Sequence, residues 1–205
     1  MKFTDDDILY LTGKYFSNGY HLLLQDNTYI SRLNCIIKLL KGKRVLHIGC
    51  CDHIPLITKK IENKTWLHGL LMDNCSFVVG VDINAEAIEY ITNKVSYPQT
   101  NNLRSCVDNV FYADVTDSIP KKLQNTIFDF AVLGEMVEHV NDPVTFLTKI
   151  KKNIGKNVDK IVITVPNALC FVWYIQKKKF YSECINTDHR YWFTPYTIAK
   201  VSCPR

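Results

Sequence analysis

The chain has 205 residues, 47% of them hydrophobic, and a formal net charge of +5. That length suits one domain with a full-sized core, the apolar content excludes a disordered chain, and so small a charge excess does not by itself imply nucleic acid. Eight cysteines occur without a CxxC pair, which speaks for a reducing compartment and against a disulfide framework.

The N-terminus, MKFTDDDILYL, is acidic and lacks a signal-peptide apolar core. The longest apolar run near the other end, residues 169–175, is too short to cross a bilayer. A soluble cytoplasmic protein with no membrane partner is expected. Residues 1–26 read as a helical lead-in. Residues 28–41 place Tyr29, Ile30, Leu33, Ile36, Ile37 and Leu40 at amphipathic helix spacing, and Gly42 is a natural stop. A strand is expected at 43–48 and a helix over 54–69, with Pro55 in its first turn. A second strand at 77–81 leads to a helix over 85–94, capped by Asn84. Strands follow at 109–112 and 127–133. A helix over 142–154 takes Asn141 or Asp142 as its cap and Pro143 at its start. The fifth strand, 160–165, stops at Pro166. Strands alternating with helices predict an α/β fold, its mostly parallel sheet covered on both faces. Without repeats or linkers, residues 1–205 read as a single domain: a lead-in over 1–42 and a core over 43–205. Cys35, Cys75, Cys106 and Cys170 sit in apolar settings, where a free thiol behaves as a small hydrophobe.

Two strand ends carry the chemistry. KRVLHIGCC (43–51) is a buried strand running into a glycine turn, and VVGVD (78–82) is a second that ends on a carboxylate. In open α/β sheets ligands bind outside the carboxyl ends of such strands, and an acid there takes ribose hydroxyls. A nucleoside-containing cofactor is implied. A dinucleotide fits poorly, because only Gly49 is a glycine at the GxGxxG positions, and the Cβ atoms of Cys51 and Ile54 crowd a pyrophosphate path. A cofactor without phosphates avoids that conflict.

In order, VLHIGCCDH, GVDIN, FYADVTD, FDFAVLGEMVEHVNDPVTFLTKI and IVITVPNA resemble the motifs of the class I S-adenosylmethionine-dependent methyltransferases, over roughly residues 44–199. The resemblance implies a Rossmann-like fold and S-adenosyl-L-methionine as cofactor. It implies cofactor contacts at His47, Gly49, Cys50, Asp82, Ile83, Asp114, Val115 and Gly134. The Gly49 turn would take the methionine portion, Asp82 the ribose and Asp114 the adenine. Read on its own, Asp82 could instead cap a helix, and Asp117 lies near Asp114. The chain departs from the family where His47 replaces the usual acid and Cys51 the second glycine. The spacing from Gly49 to Asp82 is also long, with the extra length around TWLHGLLMDN. A subset of bacterial members has a similar IGC turn followed by a WLH segment.

Glu135, Glu138 and His139 form an ExxEH cluster after the fourth strand, and His189 lies in TDHRYWFT beyond the fifth. If the first segment is helical, Glu135 and Glu138 share a face. Two carboxylates and two imidazoles make a mixed site for Mg²⁺, Mn²⁺ or a similar ion. The arrangement resembles the metal site of the small-RNA 3′-terminal 2′-O-methyltransferases. The same residues also fit a metal-free reading, with Glu138 bonded to backbone and His139 as general base. A zinc site at Cys50, Cys51 and His53 is rejected for want of a fourth ligand. Between residues 149 and 190, nine Lys/Arg stand against three Asp/Glu, which reads as a solvated basic face or as a seat for an anionic acceptor. Aromatics from Phe171 to Phe193 could line an acceptor pocket or pack a cap.

The expected function is methyl transfer to a hydroxyl of a small molecule or saccharide, with Glu135, Glu138, His139 and His189 orienting or deprotonating the acceptor. One alternative is an RNA 3′-terminal 2′-O-methyltransferase using a divalent metal. Another is a binding protein that keeps the fold without catalysis. The family's closing β-hairpin has no counterpart in the last residues. A truncated chain, or a homodimer covering the exposed sheet edge, is therefore expected.

Overall fold

Near-continuous runs of Val, Ile, Leu and Phe, bounded by polar turns, build the middle of the sheet. The computed structural model describes residues 3–23, 31–94 and 109–203. Its strands are β1 (Arg44–Ile48), β2 (Phe77–Asp82), β3 (Val110–Tyr112), β4 (Phe128–Gly134) and β5 (Val158–Thr164), paired in parallel in the order β3-β2-β1-β4-β5. The helices are α1 (Asp5–Leu11), α2 (Arg32–Leu40), α3 (Ile54–Glu62), α4 (Leu67–Asn74), α5 (Ala85–Lys94), α6 (Pro143–Ile154), α7 (Phe171–Phe180) and α8 (Pro195–Ser202). This is the α/β Rossmann-like arrangement expected. Tyr29, Ile30 and Cys106 lie outside the described residues.

Caps behave as their chemistry requires. The Ala87 amide donates to Asn84 Oδ1 at 3.0 Å and the Thr145 amide to Asp142 Oδ1 at 3.0 Å. Asp142, rather than Asn141, is thus the cap of α6, and these bonds hold its carboxyl below the usual carboxylate range. Gly42 takes φ +72° just past the end of α2, a conformation glycine adopts at little cost.

The chain divides into two compact units. One comprises residues 30–134 and 149–164, the other residues 1–29, 135–148 and 165–205. In the first, alternation along the strands sends Val45, Val78, Phe130 and Val132 against Ile36 and Leu40 of α2 and Leu67 and Leu71 of α4. Each such side chain, fully buried, contributes about 1.5–3 kcal/mol. A smaller cluster joins Ile57 of α3, Trp66 and Ile91 of α5. Among the described residues β3 and β5 are the outer strands, and of the residues of β5 only Val158 is buried. Residues 3–23 contribute α1 and no strand.

The helix expected over 54–69 is two helices. Lys64 adopts φ +54° after the end of α3, a left-handed stop that sequence periodicity does not reveal because no glycine marks it. The break starts a fresh helix, α4, whose Leu67, His68 and Leu71 are buried.

In the second unit Thr4 and Asp7 close a capping box on α1, and Thr194 and Thr197 close one on α8. Lys200 of α8 donates to the Tyr10 carbonyl at 2.6 Å, joining the two helices. No helix among the described residues is long and apolar enough to cross a membrane.

Candidate functional site

At the carboxyl edge of the first unit, Gly49 ends β1 with φ +70°, open to a glycine and strained for other residues. The Gly49 and Cys50 amides donate to the Val81 carbonyl at 2.8 and 3.3 Å. The Cys51 amide donates to Asp82 Oδ2 at 2.9 Å, and the Asn84 amide to Asp82 Oδ1 at 2.9 Å. Asp82 therefore clamps both turns at the strand ends. An ionised carboxylate has about four acceptor positions, so this clamp leaves capacity for hydroxyls. Beside it Ile83 is 66% exposed. At the end of β3 the Ala113 amide donates to the Asp82 carbonyl at 2.9 Å, which sets the exposed Asp114 next to the same edge. The Asp114 Oδ1 accepts from the Thr116 amide at 2.8 Å.

The other cofactor residues expected from sequence have partners inside the protein. His47 is 2% exposed, and its Nδ1 lies 3.2 Å from His68 Nδ1. One ring must donate and the other accept, so at least the accepting ring is neutral. Burial first, then the neighbouring His68 and Arg32, hold His47 well below the usual imidazole range, and burial takes His68 to about 4. Gly80, opposite His47 in the sheet, makes room for the pair: a Cβ there would stand 2.7 Å from both His68 Cε1 and Cys50 Sγ. Sequence reasoning passed over Gly80, although a glycine inside a strand signals close approach. Val115 is buried, and its carbonyl accepts from Asn153 at 3.0 Å. At Gly134 a Cβ would lie 2.7 Å from Leu67 Cδ2, so the missing side chain serves packing.

Cys50, Cys51 and Asp82 lie within 4.8 Å of one another. The hydrogen bond with Cys51 and then burial push the Cys50 thiol well up. A protonated thiol is a poor metal ligand, and His53 is not in the group. Arg32, also absent from the sequence reading, donates to Thr164 Oγ1 at 3.5 Å and so brings a guanidinium to the ends of β4 and β5.

In the second unit Glu138, His139 and His189 bring ligand-type atoms within 4.8 Å of one another. Glu138 is fully buried in a short 3₁₀ turn, Val137–His139. The Arg190 amide donates to its carbonyl at 2.8 Å, which ties the two segments together. The His139 and His189 rings meet edge-on, with centroids 4.7 Å apart. His189 Nδ1 is buried with no hydrogen-bond partner among the described residues. Burial and then the neighbouring His139 lower the His189 pKa, against the opposing pull of Glu135 and Asp188. Glu135 is a correction to the expected four-residue set. It takes φ +56° and is exposed, so the segment is not the helix that would align it with Glu138, and it falls outside the group. One carboxylate and two imidazoles, one of them with the orphaned Nδ1, fit a divalent ion of the Mn²⁺ type.

The sequence pattern of a methyltransferase domain matches residues 25–201. The chain belongs to that family. Its fold is that of the class I S-adenosylmethionine-dependent enzymes, with a parallel sheet flanked by helices. No curated protein matches the sequence. Among solved structures it is similar to a SAM-dependent methyltransferase of Thermotoga maritima, with 15% identity over 83% of this chain and 66% of that one and a TM-score of 0.48. It is similar to the YcgJ protein of Bacillus subtilis, with 16% identity over 82% and 64% and a TM-score of 0.47. It is also similar to the small RNA methyltransferase HEN1, with 14% identity over 90% of this chain and 23% of that one and a TM-score of 0.49. The chain thus spans just under two thirds of the first two structures and about a quarter of the third.

Proposed function

We propose that this methyltransferase domain moves the methyl group of S-adenosylmethionine to a hydroxyl of a small molecule or saccharide. The observation that carries the reading is the convergence of Glu138, His139 and His189, a proton-accepting group in a domain of this family. Asp82 takes the ribose hydroxyls with its remaining lone pairs. Ile83 and Asp114 flank the base, the Gly49 turn meets the methionine portion, and Arg32 pairs with the cofactor's carboxylate. The sulfonium methyl is already activated, so the protein aligns the nucleophile and excludes water. The acceptor oxygen forms the new bond to carbon, and the carbon–sulfur pair returns to sulfur. When no metal ion is held at the Glu138, His139 and His189 cluster, the hydroxyl proton passes to His189, whose lowered pKa keeps the ring neutral. A divalent ion such as Mg²⁺ or Mn²⁺, held by Glu138, His139 and His189, would supply a Lewis acid that makes an acceptor hydroxyl more acidic.

A second reading, transfer to the 3′-terminal 2′-hydroxyl of RNA, is favoured by Lys177, Lys178 and Lys179 exposed beside Phe180 and Tyr181. Calorimetry with S-adenosylmethionine and its demethylated product, with and without Mn²⁺, tests the cofactor. Labelled methyl transfer to polyols, phenols, amines and a short RNA tests the acceptor. His189→Ala and Glu138→Gln should lose transfer at least a hundredfold and hold cofactor affinity within about twofold. Absence of cofactor binding would mean a non-catalytic protein, and transfer confined to amines would overturn the hydroxyl reading.

A further inference from the structure

We infer that the acceptor is a saccharide ring and that its seat is the cleft bordered by Trp173 of α7 and Trp192. This inference rests on the hydroxyl-methylating function proposed above. The cleft encloses about 540 Å³, within the size range of small-ligand sites. Trp173 and Trp192 meet at 63° with centroids 5.2 Å apart. They form a corner rather than a parallel slot, and a corner suits a puckered ring with C–H faces better than a flat base.

The polar lining fits the same ligand. Glu183 Oε1 accepts from Trp192 Nε1 at 3.1 Å, which fixes the carboxylate and leaves its other oxygen for ring hydroxyls. Gln176 and Ser182 add an amide and a hydroxyl to the wall. A purely apolar ligand would strip water from these groups and return no hydrogen bonds. Lys177 on the same wall opposes an ammonium ligand, the alternative that two indoles and a carboxylate otherwise suggest. The Trp192 ring stands edge-on to His189, with centroids 6.1 Å apart. The cleft wall is therefore continuous with the cluster that takes the hydroxyl proton, and α7 and the segment before α8 position both.

The test uses the full chain and ligand-observed saturation-transfer NMR with methyl α-D-glucopyranoside, methyl α-D-mannopyranoside and methyl α-L-rhamnopyranoside. Cyclohexanol, tyramine and adenosine 5′-monophosphate serve as competitors of other chemistry. At least one glycoside should bind and displace all three competitors. Trp173→Ala and Glu183→Gln should each weaken it tenfold or more, Trp173→Phe should recover part of the loss, and S-adenosylmethionine affinity should stay unchanged. Silence from every glycoside, preference for tyramine or the nucleotide, or variants that bind glycoside like the parent would each overturn the inference. The two readings also fail separately. A hydroxyl acceptor methylated equally by the parent and by Glu183→Gln removes the cleft and leaves methyl transfer standing. A glycoside that binds the cleft in a protein unable to bind S-adenosylmethionine removes methyl transfer and leaves the cleft.

Discussion

Strands β1, β2 and β4 each carry four consecutive buried residues, whereas α7 buries none. In the sheet unit, side chains specify one arrangement by exclusion: the bare Gly80 leaves room for Cys50 and His68, which a Cβ there would meet at 2.7 Å. In the second unit Leu11, Val137 and Phe193 are buried, and polar contacts add to the holding, among them the Arg190 amide on the Glu138 carbonyl and Trp192 on Glu183. Large apolar groups there stay exposed, including Phe171 at 69%. The difference separates two tasks. A cofactor site needs a fixed frame, and an acceptor site needs apolar faces that folding has not already covered.

The comparison can be broken hardest with acid. The folded-state pKa of His68 lies near 4 against an ordinary value of 6.5, so the unfolded chain binds the extra proton between those limits. Stability present above pH 6.5 is lost as pH falls toward 4, by an amount on the order of 3 kcal/mol. Urea unfolding at pH 7 and 4.5 should show it, and His68→Phe should reduce the difference while His47, itself held low by burial, keeps its share. An equal pH dependence in that variant would remove His68 from the account.

Next in size is Gly80→Ala, which should cost about 2–3 kcal/mol through contacts 2.7 Å from a ring carbon and a sulfur. Gly19→Ala is the paired control in the other unit, with nothing within 4 Å of its Cβ, and should shift the urea midpoint little. Asp82→Ala removes hydrogen bonds to a charged group, worth about 1.5–3 kcal/mol each. Calorimetry should find S-adenosylmethionine bound roughly ten- to hundredfold more weakly. Unchanged affinity would mean that Asp82 serves only the turns. The smallest effect belongs to α7, where Phe171→Ala should change unfolding stability by less than about 0.5 kcal/mol. A larger loss would show that the helix is packed after all.

The frame was legible in the sequence because burial on both faces writes unbroken apolar runs, as at β4, and because Asn84 and Asp142 announce helix starts chemically. What escaped depends on single backbone angles or on contacts between distant segments. Lys64 and Glu135 turn the chain at φ +54° and +56° with no glycine to mark either place, so one helix became two and an expected helical turn did not form. Arg32 reaches the ends of β4 and β5 from a helix far away in the chain, and no local pattern reports that. His47 and Cys50 stand where a ligand was expected, yet their side chains face His68, Gly80 and Cys51. Sequence position locates such residues at the strand end but does not say which way they point. Residue type pointed to Glu135, Glu138, His139 and His189 together, and the last three bring ligand-type atoms within 4.8 Å of one another.

The clamp at Asp82 has a consequence for how a ligand arrives. The amides of Gly49, Cys50 and Cys51 are all satisfied within the protein, so the turn takes its shape when the chain folds. A cofactor meeting it freezes little backbone, and the entropic penalty of association is correspondingly small. Encounter should then resemble rigid docking, with an association rate insensitive to changes in the turn and with weakened variants distinguished by faster escape.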